Sequence, residues 1–300
     1  MTKLAVVGHR RRHPSSVSRR TLLIFVAPFA TLFTLFYLFP TGYAFYKSLL
    51  VIEREGTYGV PYEVFGGLSQ YFAVFQNEAF GASILRVLTF GIVQVPIMLG
   101  LALLFALLLD SPLLRGKRFF RIAFFAPYAV PGVIAAIMWG FLYSPNLSPF
   151  TEVTRAVPFL SSDLVLWSIA NVVTWVYVGY NMLIIYSSLL AIPTDLYDAA
   201  RIDGAGQLRI AVSIKLPLIV PALVLTAVFS IIGTLQLLAE AQVFRTFSSA
   251  VSSTYTPNLA VYMTSSIPNV NQAAAMSVVL AVATFVLSFG FFKLSQRGGR

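Results

Sequence analysis

Charged positions are confined to short stretches, and long uncharged windows lie between them. Six windows reach the roughly 20 residues that a helix needs to cross a bilayer: Thr21–Tyr46, Val87–Leu109, Ile122–Tyr143, Leu164–Ile192, Leu216–Leu238 and Ala273–Phe292. None alternates apolar and polar residues with the period of two that marks a half-buried strand. The pattern predicts an all-α polytopic membrane protein with six transmembrane helices. A basic tail over 1–20 precedes a single transmembrane domain over 21–300. Pro96, Pro127 and Pro131 fall inside windows. Prolines there are tolerated when neighbouring groups satisfy the freed carbonyls, and they are expected to kink the helices.

Composition agrees. Only 11% of the 300 residues are charged, against about 25% in soluble domains. The net charge of +10 raises nucleic acid as a partner. However, the basic residues sit between apolar windows and form no patch interleaved with aromatics, so no nucleic-acid partner is expected. Ser18-Arg19-Arg20 before the first window resembles an export signal. That window stays uncharged for 26 residues without a small-residue cleavage site, which suits a span. With the N-terminus inside, segments 1–20, 110–121, 193–215 and 293–300 hold sixteen of the twenty-one Lys and Arg. The positive-inside rule therefore predicts cytoplasmic termini and a cytoplasmic 193–217 loop. The segments 47–86, 144–163 and 239–272 are then external.

The loop between the fourth and fifth windows is the longest to mix both charge signs with small residues. Pro193 stops the preceding helix. Thr194 is placed to cap a short helix over 195–202, with Asp195 in its first turn. Asp203-Gly204 should end it, since Gly204 can adopt a left-handed conformation. A second short helix is expected over 207–215, with Pro217 opening the fifth span. Helices this short are marginal alone and persist if something packs on them.

Asp198-Ala199-Ala200, Gly204 four residues on, and Ile214-x-Leu216-Pro217 after nine more resemble the "EAA" motif of bacterial ABC-importer permeases, with Asp198 where Glu is usual. Asp203-Gly204-Ala205 completes the motif, and Ala191-Ile192-Pro193 before it and Arg201-Ile202-Asp203 inside it resemble the sugar-type branch, which includes maltose and glycerol-phosphate permeases. Gly67-Leu68-Ser69-Gln70-Tyr71 and Lys117-Arg118-Phe119-Phe120-Arg121 extend the likeness over most of the chain. It weakens over 245–272, where Ser and Thr stand in place of a Gly-rich external loop. The resemblance implies a permease subunit of an ATP-driven importer in the bacterial cytoplasmic membrane, carrying a sugar or related carbohydrate by alternating access. It implies a second, paralogous permease subunit, an ATPase dimer docked on the coupling helix 195–202, and an extracytoplasmic substrate-binding protein. Ala200 is expected to face the ATPase groove.

The chain's own chemistry points the same way. It has no phosphate-cradling G-x-x-x-x-G-K-[ST] loop, so ATP and Mg are expected on the ATPase and this subunit is not itself an enzyme. There is no Cys, and His9 and His13 lie in the tail, which leaves no His or Cys metal site or triad in the membrane. An ion-coupled secondary transporter is the rival reading, but such proteins use intramembrane carboxylates or broken helices, and no window holds a central Asp or Glu. A permease for a non-sugar solute is the other alternative. For a substrate path, Asn171, Thr174, Tyr177 and Asn181 fall within a wedge of about 120° at 100° per residue. Gln236 and Glu240 lie four apart at the end of the fifth window. These groups could meet sugar hydroxyls, or could bond between helices. Glu240 could equally be a rim charge. Gln94, Tyr128 and Trp139 are weaker candidates.

Overall fold

Among the described residues, five helices are long and apolar enough to cross a bilayer, and two further helices that meet at 95° pass the same test together as a bent pair. The computed structural model describes residues 19–56, 58–266 and 269–298. The expected basic tail lies outside them except for Arg19 and Arg20, which begin the first helix.

The first span stands as its own unit. Helix α1 (Arg19–Phe33) and helix α2 (Phe39–Lys47) are joined by one π-helical turn over Thr34–Leu38. Phe39 N–H reaches back five residues to Thr34. Pro40 follows immediately, and a proline lacks a donor and crowds the carbonyl four residues back. The widened turn absorbs that misfit. Thr41 Oγ1 donates to the Tyr37 carbonyl at 2.6 Å, and Phe29, Phe33 and Tyr37 stack at helical spacing.

The second unit holds everything from Ser48. It opens with an antiparallel strand pair that the sequence pattern did not predict, β1 (Leu50–Glu53) and β2 (Tyr62–Phe65), with Val51 opposite Val64. Helix α3 (Ser69–Gln76) leads into α4 (Glu78–Asp110). Asn77 caps α4, its Oδ1 accepting from Phe80 N–H at 3.0 Å, with Glu78 in the first turn. The second span therefore starts nine residues before its uncharged window.

The third span is broken where the uncharged window suggested a kinked but continuous helix. Helix α5 (Lys117–Phe125) passes into a 3-10 turn over Ala126–Ala129. Val130 is extended, and α6 (Gly132–Tyr143) then sets off in a new direction. Pro131 disfavours a helical Val130, and Pro127 supplies no donor. Helix α7 (Thr151–Ala156) is short, and α8 (Val165–Leu190) is the fourth span. Ala102, Ala106 and Leu109 of α4 pack on Met182, Ile185, Tyr186 and Leu189 of α8. The two alanines let the backbones approach closely.

After the loop helix α9 (Asp195–Ile202), the expected second short helix is no separate element. Helix α10 (Gln207–Ile210), a π turn over Ala211–Lys215 and α11 (Leu216–Leu235) are continuous. Pro217 sits two residues beyond this π turn, the same offset as Pro40 from the first, so the helix runs through a proline expected to start it. Helices α12 (Ala239–Phe244), α13 (Pro257–Ser266) and α14 (Val270–Gly298) complete the chain. The Ser/Thr-rich 245–272 segment is packed. Ser248 Oγ donates to the Leu160 carbonyl at 2.6 Å, Thr256 Oγ1 to that of Leu237 at 2.8 Å, and Arg86 Nη1 to that of Tyr255 at 2.8 Å.

Gly179 sets the distance between the broken span and α8. A Cβ there would lie 1.9 Å from the Phe124 carbonyl oxygen and 2.5 Å from its carbon. Backbone cannot swing aside as a side-chain tip can. Gly179→Ala should therefore destabilise the fold by about 1–3 kcal/mol, lowering the melting temperature in detergent. Gly100→Ala, with nothing within 4 Å, should leave it unchanged or raise it.

Candidate functional site

Two polar constellations stand out in the second unit, one on the loop after α8 and one within the helices. In the loop, α9 closes in a Schellman arrangement. Ala205 N–H donates to the Ala200 carbonyl at 2.9 Å, and Gly204 N–H to that of Arg201 at 3.0 Å. Gly204 has φ +78°, the left-handed conformation that a side chain would strain. Thr194 is not the side-chain cap the sequence suggested. It is helical itself and makes no cap bond. Arg201 pairs with Asp198 at 2.8 Å on the exposed side, a contact worth little in solvent.

The helix has two faces. Tyr197 and Ala200, three apart, are half-buried against their own chain, whereas Leu196, Ala199, Ile202 and Asp203 are exposed. Ala200, expected to face a partner, is only partly exposed. Ile202 is 86% exposed and Leu208 80%. Within the motif Ala205 and Leu216 are half-buried, and Pro217 is exposed within the continuous helix.

On the inner face, Lys215 in the π turn forms an ion pair with Asp110 at the end of α4. Its Nζ also lies 5.0 Å from the centre of the Tyr197 ring. Burial, then the Asp110 carboxylate, pushes the Tyr197 hydroxyl pKa up. The pair is nearly enclosed, with side chains 9% and 12% exposed. Three segments, α4, α9 and the start of α11, meet at this one cation. Sequence reasoning missed it. The only signal was two opposite charges bordering apolar windows on the same predicted side.

The second constellation is a cavity of about 510 Å³ between α4, α6, α8, α11 and α12. Tyr177, Asn181, Gln236 and Glu240 all line it, together with Gln94 and Tyr180. The other two candidates on the α8 wedge are engaged elsewhere. Asn171 Nδ2 donates to the Tyr143 hydroxyl at 2.8 Å, and Thr174 Oγ1 accepts from Gln94 Nε2 at 3.1 Å. Asn181 Nδ2 donates to the Tyr177 carbonyl at 3.1 Å. Glu240 is no rim charge: it is 8% exposed. Tyr128 stacks on Tyr180 at 4.7 Å behind the cavity wall, while Trp139 packs in the core against Tyr143 and Trp175. Amides, phenols, a carboxylate and ring faces can together bond hydroxyl groups and cover an apolar sugar face.

The Lys215–Asp110 pair has a measurable signature. Lys215→Met leaves a buried carboxylate unpaired and should cost roughly 3–5 kcal/mol. Replacing both partners, Asp110→Leu with Lys215→Met, should recover most of that loss. Melting curves of the two variants in detergent check it, and equal losses in both would show the carboxylate to be satisfied without the lysine.

Comparison with known proteins adds identity to this geometry. Over 284 residues the chain is 28% identical to the sn-glycerol-3-phosphate transport system permease protein UgpA of Agrobacterium fabrum, covering 91% of this chain and 94% of the relative. The corresponding protein of Yersinia pseudotuberculosis is 29% identical with the same coverage. A bacterial ABC transporter involved in import of the acidic polysaccharide alginate contains a chain that superposes with a TM-score of 0.76 at 18% identity, covering 93% of this chain and 96% of that one. A chain of the inward-facing MetNI methionine ABC transporter gives 0.54 at 17%, covering 74% and 96%. Residues 102–297 match the family model described as the binding-protein-dependent transport system inner membrane component, and the chain, a multi-pass membrane protein, belongs to that family.

Proposed function

We propose that the chain is one permease half of an ATP-driven importer that moves a sugar or related carbohydrate by alternating access. A paralogous permease supplies the other half of the pathway. An ATPase dimer, which binds the ATP and Mg, docks on α9 from the cytoplasm, and an extracytoplasmic binding protein delivers the solute from the opposite side. The termini are cytoplasmic in this reading. Among relatives, the carriage of glycerol 3-phosphate and of alginate supports a hydroxylated solute.

The observation that carries the reading is the division of α9 into two faces. Its outer face offers Leu196, Ala199 and Ile202 to a partner, the apolar row of a helix that lies in another protein's groove. Its inner face is tied through Tyr197 and Lys215 to α4 and α11. A partner that moves α9 moves both spans.

Ile202 separates docking from folding, which Ala200 cannot do because it is half-buried. Ile202→Asp leaves this chain's own packing intact and puts a carboxylate into the dry contact. In membranes holding the full importer, the variant should insert at normal levels, lose the ATPase in pull-down and lose at least about tenfold in uptake, the effect of a charge left unpaired at an interface. Normal uptake with the ATPase still bound would overturn the coupling role of α9.

A further inference from the structure

The cavity contains one charged group and nothing to balance it. Among the described residues, none of those lining it is Lys, Arg or His. Glu240 has no ion-pair partner among the described residues, is more than nine-tenths buried, and borders the open volume. Its Oε1 lies 3.3 Å from where a Cβ of Gly132 would be, at the N-terminal end of α6. The positive end of that helix dipole steadies a carboxylate there. It supplies no full cation for a second anion.

A buried carboxylate without a cation is costly, and here it faces a space large enough for a solute. The groups beside it, Asn181, Gln236, Ser230 and the Tyr177 phenol, are neutral. Carboxylate oxygens accept from hydroxyls, and two oxygens on one carbon suit two neighbouring hydroxyls. Tyr180 and Phe229 add ring faces for the apolar side of a sugar ring. An anionic solute placed in this volume meets a like charge, or must carry a proton in on the carboxylate. A neutral polyol meets neither cost.

We propose that Glu240 is a charge-selective specificity residue, and that this cavity admits uncharged polyhydroxylated solutes and rejects sugar phosphates and uronates. The proposal rests on the permease reading above. It sets this chain's substrate class apart from the anionic solutes named for its relatives, glycerol 3-phosphate and the acidic polysaccharide alginate.

The test uses the assembled importer without its binding protein, so that the membrane cavity alone selects. Saturation-transfer-difference NMR would measure binding of two matched pairs, glucose with glucose 6-phosphate and maltotriose with trigalacturonate. The neutral member of each pair should bind at least about tenfold more tightly, as expected for like charges brought together in a partly dry site. Glu240→Gln, nearly the same shape, should bring that ratio close to one. Glu240→Asp, which keeps the charge, should preserve the preference. Equal binding of both members by the native complex, an unchanged ratio in Glu240→Gln, or no binding of either member would each overturn the proposal. Stimulation of ATP hydrolysis by the loaded binding protein, measured on the same complex, reports separately on the permease reading and would survive all three results.

Discussion

The contact between Gly179 and the Phe124 carbonyl is the constraint on which the second unit is built. In hydrocarbon each backbone donor and acceptor must find a partner, and prolines remove donors. The first, second, third and fifth spans all contain proline. The fourth span, α8, contains none. It touches α4, both arms of the broken span, α11 and α12. The break between α5 and α6 is possible because one residue of α8 has no side chain. The exposed turn of backbone can then lie directly on another helix.

The two π turns show the same economy. Each lies just before a proline, and in each the hydrogen bond lengthens its reach from four residues to five. The helix continues where it would otherwise stop. In the fifth span this has a mechanical consequence. Because α10, the π turn and α11 are one continuous helix, the loop enters the membrane helically from Gln207 on, with a turn over residues 203–206 between this helix and α9. The π turn is also where Lys215 emerges to meet Asp110 and Tyr197.

Much of this was legible in the chain. Hydropathy fixes spans because bilayer thickness sets their length, so the fourth and sixth windows fell close to α8 and α14. Local chemistry placed α9 and its left-handed Gly204, since a glycine after a short helix has few other uses. What was hidden depended on distant partners. An uncharged window reports length and not direction, so Ile122–Tyr143 looked like one kinked helix, and nothing local pointed to Gly179. Asp110 and Lys215 are 105 residues apart. A helical wheel put Asn171, Thr174, Tyr177 and Asn181 on one face. It could not say that Tyr143 and Gln94 would engage the first two. The family likeness weakened over 245–272 and left the contacts of that segment open, whereas Ser248 and Thr256 satisfy carbonyls on other segments.

Buried charge marks both ends of the fifth span, and the two ends treat it differently. At the start, Lys215 is neutralised by Asp110, so the charge fixes position and is unavailable to anything else. Just beyond the other end, Glu240 is left facing open volume. Between them α11 runs for 20 residues, about 30 Å at the rise of an α-helix. A rigid helix of that length carries a displacement from one end to the other without a chain of side-chain rearrangements. In the proposed cycle, a push on α9 reaches Lys215 first and then moves the floor of the cavity as part of the same rod. Pro217 and Pro221 weaken the helix only in its first turns. In that proposed cycle coupling and selection need no separate pathway between them, because the helix that begins at the ion pair ends at the cavity.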